Sequence, residues 1–305
     1  MSTLDVNLRL PAGLVRLGVR LAGRWALDPR LPWEVQRRRL EQLSKGALLP
    51  KGTTVVDTVL GGKPAEVVAG SGVGPGPTVL HLHGGGYCVG SPSVARSWAA
   101  HLSARAGCRV VLVDYRLAPE HPHPAALDDA AAAWEALRDE APASSLVLSG
   151  DSAGGGLALA LALRLRDAGQ PLPAGLVLVS PWADLHADRG EPSELAERDV
   201  VLTPGWLLAC ANAYAAPSRW NDPAVSPLHG SLAGLAPMLI QADTDELLAP
   251  DAERLAAAAG AAGVEVTYTT SPGLWHDFPL QAGLVAAADS AVRQAAWFVQ
   301  QRAAP

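Results

Sequence analysis

The sequence predicts an α/β fold with a mostly parallel sheet, and three observations carry that prediction. Seven short apolar runs recur between residues 53 and 270, each closed off by turn residues. Stretches with helical spacing of apolar residues separate most of them. The runs are apolar almost throughout rather than alternating, as strands covered on both faces require. No stretch reads as an interdomain linker, so the 305 residues are expected to form one large domain with helical additions.

Taken in order, residues 11–47 place apolar positions at helical spacing among many arginines and predict one or two amphipathic helices. "TTVVDTVL" (53–60) and "PTVLHLH" (77–83) are the first strands, followed by a helix at 93–106. "CRVVLVDYR" (108–116) and "SSLVLSG" (144–150) flank a helix at 124–139. A helix at 153–168 precedes the strand "GLVLVSP" (175–181). The rhythm then breaks: 186–221 holds no good strand and reads as a helical insertion over the sheet's edge. "APMLIQAD" (236–243), a helix at 250–262, "VEVTYTT" (264–270) and a helix at 284–302 complete the pattern.

The net charge of −6 offers no basic face, which argues against nucleic acid as the main partner. Three scattered cysteines without a CxxC pair argue against a disulfide framework and for a cytoplasmic protein. No metal site is expected. Arg9, Arg16 and Arg20 interrupt the apolar N-terminus, so no signal core and no stable membrane insertion are expected. Those arginines, with Arg24, fit either a cap helix with solvated charges or a helix lying on a membrane surface. A cap helix with solvated arginines is the expectation.

Ligands of such sheets sit beyond the carboxyl ends of the strands, so the chemistry should lie there. Gly150-Asp151-Ser152-Ala153-Gly154 fits G-x-S-x-G between a strand and a helix, the context of a nucleophile elbow. A serine hydroxyl needs a base, and His276, between the last strand and the last helix, is the candidate. The base needs a carboxylate. Asp245 is the choice, with Asp243 and Glu246 as near alternatives. The triplet Gly84-Gly85-Gly86 after His83 supplies backbone N–H groups unobstructed by side chains. With the N–H of Ala153 they would form an oxyanion hole, and Gly85 and Gly86 are the favoured pair. Tyr87, Trp182, Leu202, Trp206 and Trp275 are the expected pocket walls, whose rings would limit acyl length. Asp114 and Arg116 are expected to pair beneath the site.

The stretches "HGGGYCVGS", "DYRLAPEHPHPAALDDA", "GDSAGGGLA", "SPWADL", "DELLAPD" and "WHDF" together resemble the hormone-sensitive-lipase-like branch of the α/β-hydrolases, the bacterial family IV esterases. The resemblance implies Ser152 as nucleophile, Asp245 as acid and His276 as base. It implies a serine carboxylesterase acting on short- to medium-chain esters through an acyl-enzyme, without a cofactor. Residues 1–50 would be N-terminal cap helices, and 51–305 the catalytic domain with a cap insertion at about 186–221. A homodimer through the C-terminal edge strand is a further implication. One departure stands out: the family's common Asp-Pro-Leu is here Asp245-Glu246-Leu247. Lactones are the nearest alternative substrate. A non-enzymatic ligand-binding relative would be expected to have lost nucleophile or base, and both are present.

Overall fold

The computed structural model describes residues 10–74, 76–186 and 193–303; Arg9 and the insertion's residues 187–192 lie outside them. Eight strands form one sheet: β1 (Thr54–Leu60), β2 (Lys63–Ala69), β3 (Thr78–Leu82), β4 (Arg109–Val113), β5 (Leu146–Asp151), β6 (Gly175–Val179), β7 (Met238–Asp243) and β8 (Val266–Ser271). Their spatial order is β1-β2-β4-β3-β5-β6-β7-β8. From β4 to β8 all neighbours run parallel, while β1, β2 and β4 pair antiparallel.

All seven expected strands form. The unexpected one is β2, which pairs with β1 across a two-residue Gly61-Gly62 turn with both φ values positive. Its Lys63, Pro64 and Glu66 dilute the apolar pattern, because Lys63 pairs with the buried Asp129 and the largely buried Glu66 pairs with Arg96. By contrast β3, β5, β6 and β7 are buried along their whole length, which explains why Val, Leu and Ile dominate them.

Helices cover both faces. On one, α3 (Pro92–Ala106) packs against α9 (Ala286–Arg302) over a core containing Trp98, Val110 and Phe298. On the other lie α4 (Ala125–Glu140), α5 (Ala153–Asp167) and α8 (Ala249–Ala261), over Trp134, Leu159 and Leu255. Arg116 pairs with Asp129 of α4 at 2.7 Å, not with Asp114, so that sequence expectation fails; Asp129 reaches both the Arg116 backbone N–H and its guanidinium.

Two N-terminal helices, α1 (Ala12–Ala26) and α2 (Trp33–Ser44), sit over the carboxyl end of the sheet with α6 (Ser193–Arg198) and α7 (Pro204–Tyr214) from the insertion. Polar side chains lock these pieces together. Arg37 of α2 donates to the carbonyls of Cys88 and Ala118 and pairs with Glu120. The buried Gln36 accepts from the Trp206 indole of α7 at 2.9 Å. Arg16 of α1 donates to the carbonyls of Leu274 and Arg198.

Candidate active site

The turn after β5 carries Ser152 at φ 53° and ψ −123°, a strained conformation for a residue with a side chain. Small neighbours make it possible: a Cβ on Gly154 would lie 2.0 Å from the Leu82 carbonyl oxygen. The turn is clamped by the Ser152 N–H donating to the Val179 carbonyl and by the Trp182 N–H donating to the Ser152 carbonyl. Ser152 thereby stands at the N-terminus of α5, where the helix dipole favours negative charge.

His276 follows β8 on a short loop, and its Nε2 lies 2.9 Å from Ser152 Oγ. On the far side of the ring, Nδ1 lies 3.4 Å from Glu246 Oε2, an ion-pair distance. Glu246 is fully buried, and its Oε2 also accepts the Ser180 hydroxyl at 2.8 Å. Ser180, at φ 44° at the end of β6, accepts the Asp277 N–H as well.

The expected acid, Asp245, is not brought to the histidine. Its carboxylate is partly exposed and lies 3.5 Å from Arg198. The reason is local: Asp243 Oδ1 accepts the Asp245 N–H at 2.8 Å in an Asx-type turn, which sends the next residue, Glu246, inward. Asp243 also accepts the Leu274 N–H and so ties the loop after β7 to the loop carrying His276. Burial pushes the Asp243 carboxyl up to about 6 against these two backbone bonds. Asp199 makes a similar bridge: Oδ1 accepts from Val201 and Leu202 of the insertion, and Oδ2 accepts from Leu247 beside Glu246.

A second carboxylate adjoins the histidine. Asp277 Oδ2 lies 3.1 Å from His276 Nε2, the same nitrogen that faces Ser152. Burial alone would lower the His276 pKa, but the charges of Asp277 and then Glu246 outweigh it and hold the imidazole well above its ordinary value. Burial raises the Asp277 carboxyl to about 7, opposed by the His276 charge.

The glycine triplet divides. The Gly84 N–H donates to Asp151 Oδ2 at 3.0 Å, so Gly84 is corrected out of the expected oxyanion hole. Asp151 is held in turn by His81, whose Nε2 lies 2.8 Å from its Oδ1. This buried chain fastens the glycine loop to the elbow. Gly85 and Gly86 have φ of 119° and 60°, and a Cβ on Gly85 would lie 2.1 Å from the Val89 carbonyl oxygen. Among the described residues, the N–H groups of Gly85, Gly86 and Ala153 have no acceptor, and the last lies in the first turn of α5.

A cavity of about 310 Å³ opens onto Ser152 and His276. Leu202, Trp206 and Trp275 line it as expected. Tyr87 and Trp182 do not: both are fully buried behind the loop, Tyr87 stacked on Tyr214 at 3.8 Å. Val19, Gly23, Leu40 and Leu43 from the two N-terminal helices complete the wall, residues that the sequence reading did not select. Among the described residues, metal-capable side chains converge at Asp184, His186 and His229, whose ligand atoms lie within 4.8 Å of one another. None of the three lines the cavity, and Asp184 already pairs with Arg254.

A family profile describing the α/β-hydrolase fold matches residues 79–280. The chain resembles a solved hormone-sensitive lipase from a metagenome library, with a TM-score of 0.91 and 34% identity over 97% of this chain and 99% of that one. The chain is an α/β-hydrolase of the hormone-sensitive-lipase-like branch. This α/β-hydrolase is also 43% identical over 202 residues to an acetyl-hydrolase of Streptomyces hygroscopicus, covering 66% of this chain and 68% of the relative. Esterase LipU of Mycobacterium tuberculosis is 34% identical over 283 residues, or 88% and 93% of the two chains. The hydrolase is a carboxylic ester hydrolase.

Proposed function

We propose that the protein hydrolyses short- to medium-chain carboxylic esters by two-step acyl transfer, with Ser152 as nucleophile, His276 as base and Glu246 as the acid. The contact that carries this reading is the 2.9 Å approach of Ser152 Oγ to His276 Nε2 at the floor of the cavity. As Ser152 attacks the ester carbonyl, His276 takes its proton, and Glu246 stabilises the resulting imidazolium from the Nδ1 side. The carbonyl oxygen becomes an oxyanion and receives the N–H groups of Gly85, Gly86 and Ala153. His276 then hands its proton to the leaving alcohol. Water attacks the acyl-enzyme with the same histidine as base.

Trp206 and Trp275 on the cavity wall support a limit on acyl length. The test is hydrolysis of a series of p-nitrophenyl esters by wild type and Ser152→Ala. Efficiency that peaks at short acyl chains and vanishes in the variant supports the reading; a steady rise towards long chains overturns the length limit. A variant as active as wild type overturns the serine mechanism.

The three cysteines are buried and free, which supports a cytoplasmic location. No helix among the described residues is long and apolar enough to cross a membrane. β8 ends the sheet with an open edge, beside the exposed Trp297 of α9. That edge supports a homodimer paired through β8, which sedimentation velocity of Trp297→Glu against wild type would test.

A further inference from the structure

α1 is apolar on two opposite faces. Its inner face consists of small or branched residues, Ala12, Val15, Val19, Gly23 and Ala26, and lies against the body of the protein. The fit is close: a Cβ on Gly23 would lie 3.5 Å from the Cα of Val201. The large apolar residues point the other way. Leu14, Leu17, Leu21 and Trp25 recur at three- and four-residue intervals and are 65, 56, 66 and 42% exposed. Leu10, just before the helix, extends the line at 40%. A helix whose sole task was to roof a cavity would turn its leucines inward and its polar residues outward.

The segment that carries this stripe is also cationic. Residues 10–51 contain nine arginines and lysines against three acidic residues, in a chain whose net charge is −6. Arg20 is exposed on one flank of the stripe, and the Arg39 guanidinium sits over the Trp25 ring at 4.6 Å. A Trp at the end of a leucine line, bordered by arginine, matches side chains that settle at the headgroup level of a bilayer. A second copy is a poorer occupant, since a two-fold contact through this face would bring two cationic flanks together.

We propose that the outer face of α1 docks on an anionic lipid surface, lying in the interface without crossing it. The leucines enter the acyl boundary, while Arg20 and neighbouring basic residues of the cap meet the headgroups. Because the inner face of the same helix lines the Ser152 cavity, docking sets the cap of the protein against the membrane. The proposal is independent of ester hydrolysis, since binding is measured without turnover.

The test is co-sedimentation of the full chain with phosphatidylcholine vesicles, with and without phosphatidylglycerol. Wild type is expected to sediment with the anionic vesicles and to be released by salt. The triple variant Leu14→Ser, Leu17→Ser, Leu21→Ser should bind at least about tenfold less, and Arg20→Ser a few-fold less. None of the three leucines lines the cavity, so p-nitrophenyl butyrate turnover without vesicles should stay within about twofold of wild type and reports correct folding. Wild type that stays in the supernatant overturns the proposal, as does a triple variant that binds undiminished. A wild-type dimer that the triple variant converts to monomer, with neither captured by vesicles, assigns the face to a second copy and also overturns it.

Discussion

Ser180 donates its hydroxyl to Glu246 Oε2 across 2.8 Å while its own backbone is held at φ 44°. A strained residue at the end of β6 therefore aims a carboxylate that belongs to the loop after β7. Glu246 lies 3.4 Å from His276 Nδ1, a contact long enough that its alignment depends on this second partner. Ser180→Ala should lower kcat about tenfold with little change in KM, and cost about 1 kcal/mol of stability. Steady-state kinetics and thermal denaturation on the same samples check both.

The two neighbouring acids separate cleanly. Glu246→Gln should reduce kcat about 10³- to 10⁴-fold, the range for removing a carboxylate that orients a catalytic histidine. Asp245→Asn, which loses only a partly exposed contact to Arg198, should stay within about threefold of wild type. The opposite ranking would return the acid role to Asp245.

The pH profile carries the signature of Asp277. His276 must be neutral to act as base, so activity is lost as pH falls through its pKa, and that pKa is raised well above the ordinary histidine value. Asp277→Asn removes the strongest charge favouring the imidazolium. The acid limb of kcat/KM should then move to lower pH by about one pH unit or more. An unmoved limb would mean that Asp277 does not govern the histidine.

Gly85→Ala adds a Cβ 2.1 Å from the Val89 carbonyl oxygen at a φ of 119°. The loop must shift, and with it the Gly85 and Gly86 N–H groups. Turnover should fall about 10²- to 10³-fold, the cost of losing an oxyanion donor. Active-site titration with a fluorophosphonate would still label Ser152, which separates a displaced hole from a misfolded chain.

Much of this was legible in the sequence. The elbow was, because G-x-S-x-G encodes a local backbone demand that few other residues can meet. The central parallel strands were, because burial on both faces favours runs dominated by Val, Leu and Ile. β2 was not, since its Lys63 and Glu66 answer to ion-pair partners, Asp129 and Arg96, that are distant in sequence. The choice of Glu246 over Asp245 was hidden because an Asx turn at Asp243 decides which of two adjacent carboxylates faces inward. The pocket was half legible. Tyr87 and Trp182 sit at strand ends as expected, yet their rings pack behind the glycine loop and α5. The contributions of Val19 and Leu40 carry no local signal, since an apolar residue on an amphipathic helix looks the same over a cavity as over a core.

Asp199 leaves a practical legacy for anyone reshaping this protein. One of its oxygens gathers the N–H groups of Val201 and Leu202, part of the pocket wall, and the other holds Leu247, next to the acid. The pocket wall and the loop that carries Glu246 are thus tied through a single side chain. A change near Leu202 that shifts its backbone is expected to shift the Glu246 loop with it, so a broadened ester scope should arrive with slower turnover unless Asp199 is kept in register.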